Sequence, residues 1–168
     1  EHELFGHSRY LHEEVTRVPL LAIGSGVPRG ERRGNLGSHV DLFDTLCDLA
    51  GIDPPETTSG ISLFGPKDND VVFSEHGVYR SNRKNPPQGF ERFPPELLQR
   101  HTAGRKSVRT EEYRLELVSD GSVQLYRRGT DEAIEDTAVV ETLETKIVEI
   151  LGAEFSDRGD HETTLDES

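Results

Sequence analysis

The sequence predicts the end of an α/β layered domain over residues 1–66, followed by a small α+β subdomain with antiparallel strands over residues 67–152. Three observations favour this fold class. A short, continuously apolar run precedes an amphipathic helix, which is the order of a βα unit. Later segments alternate polar and apolar residues, and a hairpin turn signal separates two of them. A final segment repeats apolar residues at helical spacing.

The first region opens with good helix formers over residues 8–15, where Ser8 is a candidate N-cap. The run RVPLLAIG, residues 17–24, is apolar almost throughout and ends in glycine. Such a run is typical of a strand that is buried on both faces of a parallel sheet. We therefore expect residues 17–24 to be a strand of the layered domain.

Residues 38–51 carry the clearest helix signal in the chain. Ser38 and Asp41 have the spacing of a capping box, so Asp41 is interpreted as part of a cap rather than as a metal ligand. Gly51 stands where helices commonly end, and two prolines follow it shortly afterwards. Cys47 falls on the apolar face of this helix and is interpreted as a core residue.

The second region begins with a predicted strand over residues 70–79. The alternating segments KSVRT, YRLELVS and SVQLYRR predict a small antiparallel sheet, and Asp120 with Gly121 marks the turn between the last two. Apolar residues from 140 to 151 then recur at helical spacing and predict a helix that ends before a glycine. We expect residues 153–168 to be a flexible acidic tail.

The composition excludes several classes of partner. The formal net charge is -13, which disfavours nucleic acid and an anionic membrane surface. No run approaches the ~18 apolar residues of a membrane span. The single cysteine rules out an internal disulfide and a cysteine-based metal site, but it leaves the redox compartment open. Scattered acidity with little lysine predicts a halophilic source, although an acidic mesophilic protein is the alternative.

The opening stretch concentrates histidine and glutamate. His2, His7 and His12 are spaced by five, whereas a helical metal pair needs a spacing of four, so a zinc site made of these three residues is disfavoured. Gly6 before His7 allows close approach of the backbone and the imidazole to a ligand. A histidine there can donate a hydrogen bond to an oxyanion or to a leaving oxygen.

Two motif series identify a family resemblance. EHELFGHSRYLHEEVTRVPLLAIGSGVPRG, followed by SHVDLFDTLCDLAGIDPP, resembles the sulfatases of the alkaline-phosphatase-like superfamily. SVRTEEYRLELVSDGSVQLYRR is similar, more loosely, to the C-terminal hairpin of that family. The resemblance implies the C-terminal part of an alkaline-phosphatase-like α/β/α layered fold, plus the small α+β subdomain.

The resemblance also implies a chemistry. Sulfatases hydrolyse sulfate esters with a formylglycine made from the Cys or Ser of a C/S-x-P-x-R motif, and a divalent metal, usually calcium, polarises the sulfate. Cys47 is followed by DLAG and does not fit that motif. We therefore expect the nucleophile and the metal ligands upstream of Glu1, no metal held by this chain alone, and no activity of the isolated chain.

Site residues carry over from the family at a few positions. His7 matches the residue that contacts the ester being cleaved, so the resemblance implies catalysis and sulfate binding there. His2 and Arg9 are implied as further substrate-binding residues. Glu13 and Glu14 match an acidic pair that is interpreted as scaffold, with Arg17 as the expected partner.

His76 occupies a region that in many relatives approaches the substrate entrance, so a role in specificity is a further possibility. The main hypothesis is a C-terminal portion of a sulfatase-like hydrolase that acts on a small-molecule sulfate ester, with a separate N-terminal half as a candidate partner. One alternative is a fragment of a related phosphodiesterase or phosphotransferase. The other is a non-catalytic interaction domain. Because an unpaired apolar strand would be exposed, we expect the isolated chain to be marginally stable or to aggregate.

Overall fold

The structure is a computed structural model that describes residues 10–78, 94, 100, 102–130 and 132–155. Its elements, in chain order, are α1 (Glu13–Thr16), α2 (Asp41–Ala50), β1 (Val72–His76), β2 (Arg105–Arg109), β3 (Tyr113–Val118), β4 (Val123–Arg127) and α3 (Thr137–Leu151). The predicted tail lies outside the described residues from 156 onward. Within the described ranges, no helix has the length and apolarity needed to cross a membrane.

The four strands form one antiparallel sheet in the order β1-β2-β3-β4. This confirms the antiparallel strands predicted from the alternating segments. The register places Ser107 opposite Ser74 on one side and Glu116 on the other. The predicted turn is present between β3 and β4, where Gly121 has a φ of 90°, a conformation that glycine adopts without steric cost.

Helix α3 covers one face of the sheet and closes the hydrophobic core. Asp136 caps its N terminus, since the carboxylate accepts a hydrogen bond of 3.1 Å from the amide of Val139. The buried core residues come from β2, β3, β4 and α3: Val108, Leu115, Leu125, Leu143 and Ile147. The helix predicted from apolar spacing is thus confirmed, and it ends at Gly152 as expected.

The C terminus of α3 is tied to the sheet by a buried lysine. Lys106 is 1% exposed, and its ammonium donates hydrogen bonds to the carbonyls of Leu151, Gly152 and Glu154 at 2.7, 2.6 and 2.6 Å. These carbonyls lie at the negative end of the helix dipole. A single cation therefore satisfies three acceptors where the helix ends.

Helix α2 occurs where it was predicted, and Gly51 ends it in the left-handed conformation with a φ of 67°. Its polar side is buried: Asp41 accepts hydrogen bonds from the amides of Ser38 (2.7 Å) and Ile61 (3.1 Å), and Asn69 donates its side-chain amide at 2.9 Å. The contact with the Ser38 amide is the half of the predicted capping box that involves Asp41, but the N-cap position belongs to Val40, whose side chain makes no capping hydrogen bond, and not to Ser38. The loop that follows α2 therefore packs on the helix through polar groups.

The other side of α2 is open. Phe43 is 51% exposed and Leu46 is 65% exposed, while Cys47 is only partly buried. Cys47, which was interpreted as a core residue, is thus only partly covered by the described residues. An amphipathic helix normally buries its apolar side, so this arrangement leaves an apolar surface available for contact.

The strand predicted over residues 17–24 is absent. The segment carries no regular secondary structure, and Leu21 and Ile23 are 84% and 87% exposed. A strand needs a neighbour to pair its backbone amides and carbonyls, and the four-stranded sheet does not supply one. Nothing among the described residues covers this apolar segment.

The predicted helix over residues 8–15 is also shifted. The structure places α1 at Glu13–Thr16, with His12 as its N-cap residue. Ser8, the predicted cap, lies outside the described residues. This short turn leads the chain from the sheet toward the exposed apolar segment.

Candidate functional site

The residues predicted to bind the sulfate group, His2, His7 and Arg9, lie outside the described residues. The described chain starts at Tyr10, immediately after them. Tyr10 and Leu11 are 8% and 6% exposed, so this end of the chain is held against the rest of the molecule. The surface that holds it is the candidate site.

That surface is the face of the sheet opposite α3. Alternate residues of a strand point to the same face, so β2 presents Arg105, Ser107 and Arg109 there. By their register, Arg114 and Glu116 of β3 lie on the same face, and all five residues are 7% exposed or less. We call these five residues the charged face.

Arg109 makes the most specific contacts between the charged face and the opening segment, residues 10–16. Its Nε lies 2.9 Å from Oε1 of Glu13, and its Nη2 donates a hydrogen bond of 2.8 Å to the carbonyl of Leu11. Burial lowers the pKa of Arg109, while the carboxylate of Glu13 raises it. An arginine remains charged under such a shift, so the pair is an ionic one.

This contact corrects one prediction. Glu13 is scaffold, as interpreted, but its partner is Arg109 of β2 and not Arg17. Arg17, the residue that follows α1, donates a hydrogen bond of 2.8 Å from its backbone amide to the carbonyl of Glu13. Glu13 pairs with a residue that is distant in sequence because the opening segment lies against the sheet.

The remaining guanidinium groups pack on aromatic rings and on one shared carboxylate. The guanidinium of Arg105 lies 4.4 Å from the ring centroid of Tyr10, and that of Arg114 lies 4.1 Å from the ring centroid of Tyr126. Glu116 lies between the two arginines, with N–O distances of 2.9 and 3.2 Å. Buried cations need such partners, because an uncompensated buried charge is strongly destabilising.

Two histidines border this arrangement. His12 stacks on Tyr10 with ring centroids 5.4 Å apart, and it is partly buried rather than on the solvent side of a helix. His76 pairs with Arg105 in the sheet register and therefore lies on the same face. The structure thus brings His76 to the side of the sheet that holds the opening segment.

The charged face can hold and orient a segment, but its residues do not form a metal centre. Across the described ranges, no three His, Cys, Asp or Glu side chains come close enough to hold a metal ion. The described residues therefore offer no site for the calcium that the sulfatase resemblance implies, and no catalytic step is derived through that metal.

The sequence reasoning missed the charged face. Its arginines were read as the polar positions of alternating strands, which normally face solvent. One feature of the sequence could have indicated this face. Neighbouring strands carry opposite charges at alternate positions, as with Arg105 and Glu116, and a buried network of ion pairs has the same pattern.

Slightly less than half of the chain is similar in sequence to curated sulfatases. Human arylsulfatase K is 37% identical over 78 residues, which are 46% of this chain and 14% of that protein. The uncharacterized sulfatase YidJ of Escherichia coli is 32% identical over 80 residues, which are 46% of this chain and 16% of that protein. This chain thus spans about one seventh of the curated relatives it matches.

Among solved structures, a Bacteroides thetaiotaomicron protein assigned to the sulfatases superposes with a TM-score of 0.47 and 23% identity. The superposition covers 65% of this chain and 24% of that chain. No protein-family model matches the sequence.

Proposed function

We propose that this chain, which is related to the sulfatase family over part of its length, forms the C-terminal portion of a hydrolase that cleaves sulfuric esters. The observation that carries the proposal is the 37% identity with arylsulfatase K over 78 residues. The substrate would be a small-molecule sulfate ester. The strongly acidic chain does not favour nucleic acid as an alternative anionic substrate, because phosphates select basic surfaces.

The proposal assigns the nucleophile and the divalent metal, expected to be calcium, to polypeptide outside this sequence. It is supported by the sequence itself, where neither Cys47 nor any serine begins a C/S-x-P-x-R motif. Within this chain, His7 is proposed to contact the ester and to assist the leaving oxygen, while His2 and Arg9 help to bind the sulfate. These roles rest on the family resemblance.

The exposed apolar surface supports the same proposal. Leu21 and Ile23 of the apolar run and Phe43 and Leu46 of α2 are all more than half exposed. Soluble domains seldom leave so many large apolar side chains uncovered unless they contact further protein. The rest of an α/β layered domain, in which residues 17–24 would pair as a strand, is the proposed cover.

Hydrolysis assays test the proposal directly. The purified 168-residue chain is expected to hydrolyse no aryl sulfate. The protein completed with an N-terminal portion that carries a C/S-x-P-x-R motif is expected to hydrolyse p-nitrophenyl sulfate in preference to p-nitrophenyl phosphate. Turnover by the chain alone, or a preference for phosphate in the completed protein, contradicts the proposal. The second outcome would favour the phosphodiesterase alternative.

A histidine comparison tests the role of this chain within the completed protein. His7→Ala is expected to lower kcat by about 10²-fold, the scale of a lost proton donor. His39→Ala is the matched control, since His39 is exposed and lies just before α2. Equal kcat values for the two variants would remove His7 from the proposed mechanism. A completed protein that hydrolyses neither ester would point to a non-catalytic interaction domain.

A further inference from the structure

The two faces of the sheet serve different purposes. The face under α3 buries apolar residues such as Leu115 and Ile147, and both are 0% exposed. The charged face instead buries three arginines and a glutamate, which is an expensive way to fill a protein interior. Burial of so much charge is explained if the face binds one segment in one orientation.

The contacts of Arg109 meet that requirement. One guanidinium binds both a side chain, the carboxylate of Glu13, and the backbone, the carbonyl of Leu11. Because the donors of a guanidinium have a fixed planar geometry, the two bonds define the position and the direction of the opening segment. The Arg109 and Glu13 side chains are only 9% and 16% exposed, so salt in the solvent screens their attraction weakly.

Arg114 and Arg105 reinforce the same placement. Nη1 of Arg114 lies 3.4 Å from the carbonyl of Leu11, so two arginines converge on one oxygen. Arg105 stacks on Tyr10, one residue earlier. The contacts therefore concentrate on Tyr10, Leu11 and Glu13, directly after the stretch that contains His7 and Arg9.

We propose that Arg109 is a positioning residue, which fixes residues 10–16 on the charged face, and that ester cleavage by the completed hydrolase depends on this anchoring, which we call the orienting role of Arg109. The orienting role rests on the proposed function, whereas the anchoring does not. The antiparallel sheet would then contribute to catalysis through its hold on residues 10–16.

Hydrogen exchange of the 168-residue chain, measured by mass spectrometry, tests the anchoring. The amides of Val15, Thr16 and Arg17 report on the opening segment, because they donate hydrogen bonds to the carbonyls of His12 and Glu13. In Arg109→Gln these amides are expected to exchange at least about tenfold faster, since a buried charged hydrogen bond is lost. A peptide that covers β3 and β4 should keep its wild-type rate.

Further variants separate anchoring from general damage to the fold. Arg109→Lys keeps the charge but lacks the planar guanidinium that fixes the directions of the two bonds, so it is expected to restore protection only in part. The exchanged pair Glu13→Arg with Arg109→Glu should recover more protection than either single change. Arg33→Gln is the matched control, because Arg33 lies on an exposed loop and its side chain is 37% exposed. Unchanged exchange of the opening segment in Arg109→Gln, or equal loss of protection in β3 and β4, overturns the anchoring.

The orienting role is tested in the completed hydrolase. Arg109→Gln is expected to lower kcat for p-nitrophenyl sulfate by about tenfold or more, with Arg109→Lys intermediate and Arg33→Gln at the wild-type value. Wild-type kcat in Arg109→Gln would overturn the orienting role while the proposed function stands. If the completed wild-type protein hydrolyses no sulfate ester, the proposed function fails and the orienting role fails with it. The anchoring is still tested in that case, because hydrogen exchange measures it without any assay of activity.

Discussion

Replacement of Lys106 by methionine is expected to destabilise the sheet and α3 more than any change at an exposed lysine. The ammonium donates to three carbonyls at 2.6–2.7 Å, beside the C terminus of α3, and its side chain is 1% exposed. Methionine retains the apolar stem but removes all three donors. The three carbonyls then lose their charged partner at the negative end of the helix dipole.

The magnitude follows from these contacts. A hydrogen bond to a charged group contributes about 1.5–3 kcal/mol, but the three bonds share one ammonium, whose own burial opposes part of the gain. We expect a loss of about 3 kcal/mol in the free energy of unfolding. For a slope of about 1.5 kcal/mol per M in urea, the unfolding midpoint falls by about 2 M.

Urea unfolding followed by far-ultraviolet circular dichroism measures this midpoint. Lys67→Met is the control, since Lys67 is exposed and the same charge is removed, and its effect should stay within about 0.5 kcal/mol. If the midpoints of the two variants coincide, the reasoning from the three carbonyl contacts is refuted. A lower slope in Lys106→Met would indicate a changed unfolded or native state instead.

Two further predictions concern turns and loops. The hydroxyl and amide of Ser122 hold the pKa of Asp120 below its usual value, so Asp120 stabilises the fold above about pH 4 and loses this effect as pH falls through its folded pKa. Measured at pH 6, the free energy of unfolding of the wild type should exceed that of Asp120→Asn by less than about 1 kcal/mol, because the site is exposed. The difference should vanish as the pH is lowered to 2, and a difference that does not depend on pH would contradict the prediction. Gly60→Ala should weaken the contact between α2 and its loop by about 1–3 kcal/mol, since the added methyl would lie 2.6 Å from Oδ2 of Asp44. Hydrogen exchange of α2 measures this, and Gly34→Ala, with open space around it, should not change the rate.

Much of the second half of the fold could be predicted from local patterns. Alternation identified β2 to β4, a strand was predicted over residues 70–79 where β1 lies, Asp120 and Gly121 marked the turn, and apolar spacing identified α3. Each of these signals lies within about fifteen consecutive residues, and those residues contain the groups that determine the local secondary structure. The ends of α2 and α3 at Gly51 and Gly152 belong to the same class, because a helix end is a local backbone event.

The remaining features depend on contacts between residues that are far apart in the sequence, which local patterns do not reveal. The strand predicted over residues 17–24 has the right composition, but pairing needs a neighbouring strand, and the described residues provide none. The partner of Glu13 was expected four residues away and was found 96 residues away, on β2. Alternation could not distinguish a solvated polar face from the buried charged face, because both place arginine at every second position.

The distance in sequence between Glu13 and Arg109 also has a consequence during synthesis. During synthesis Tyr10 and Leu11 leave the ribosome some ninety residues before the strands that bury them. Until β2 and β3 have emerged and paired, residues 10–16 cannot dock on the charged face. Nascent chains that stall within this interval would present those apolar residues to chaperones.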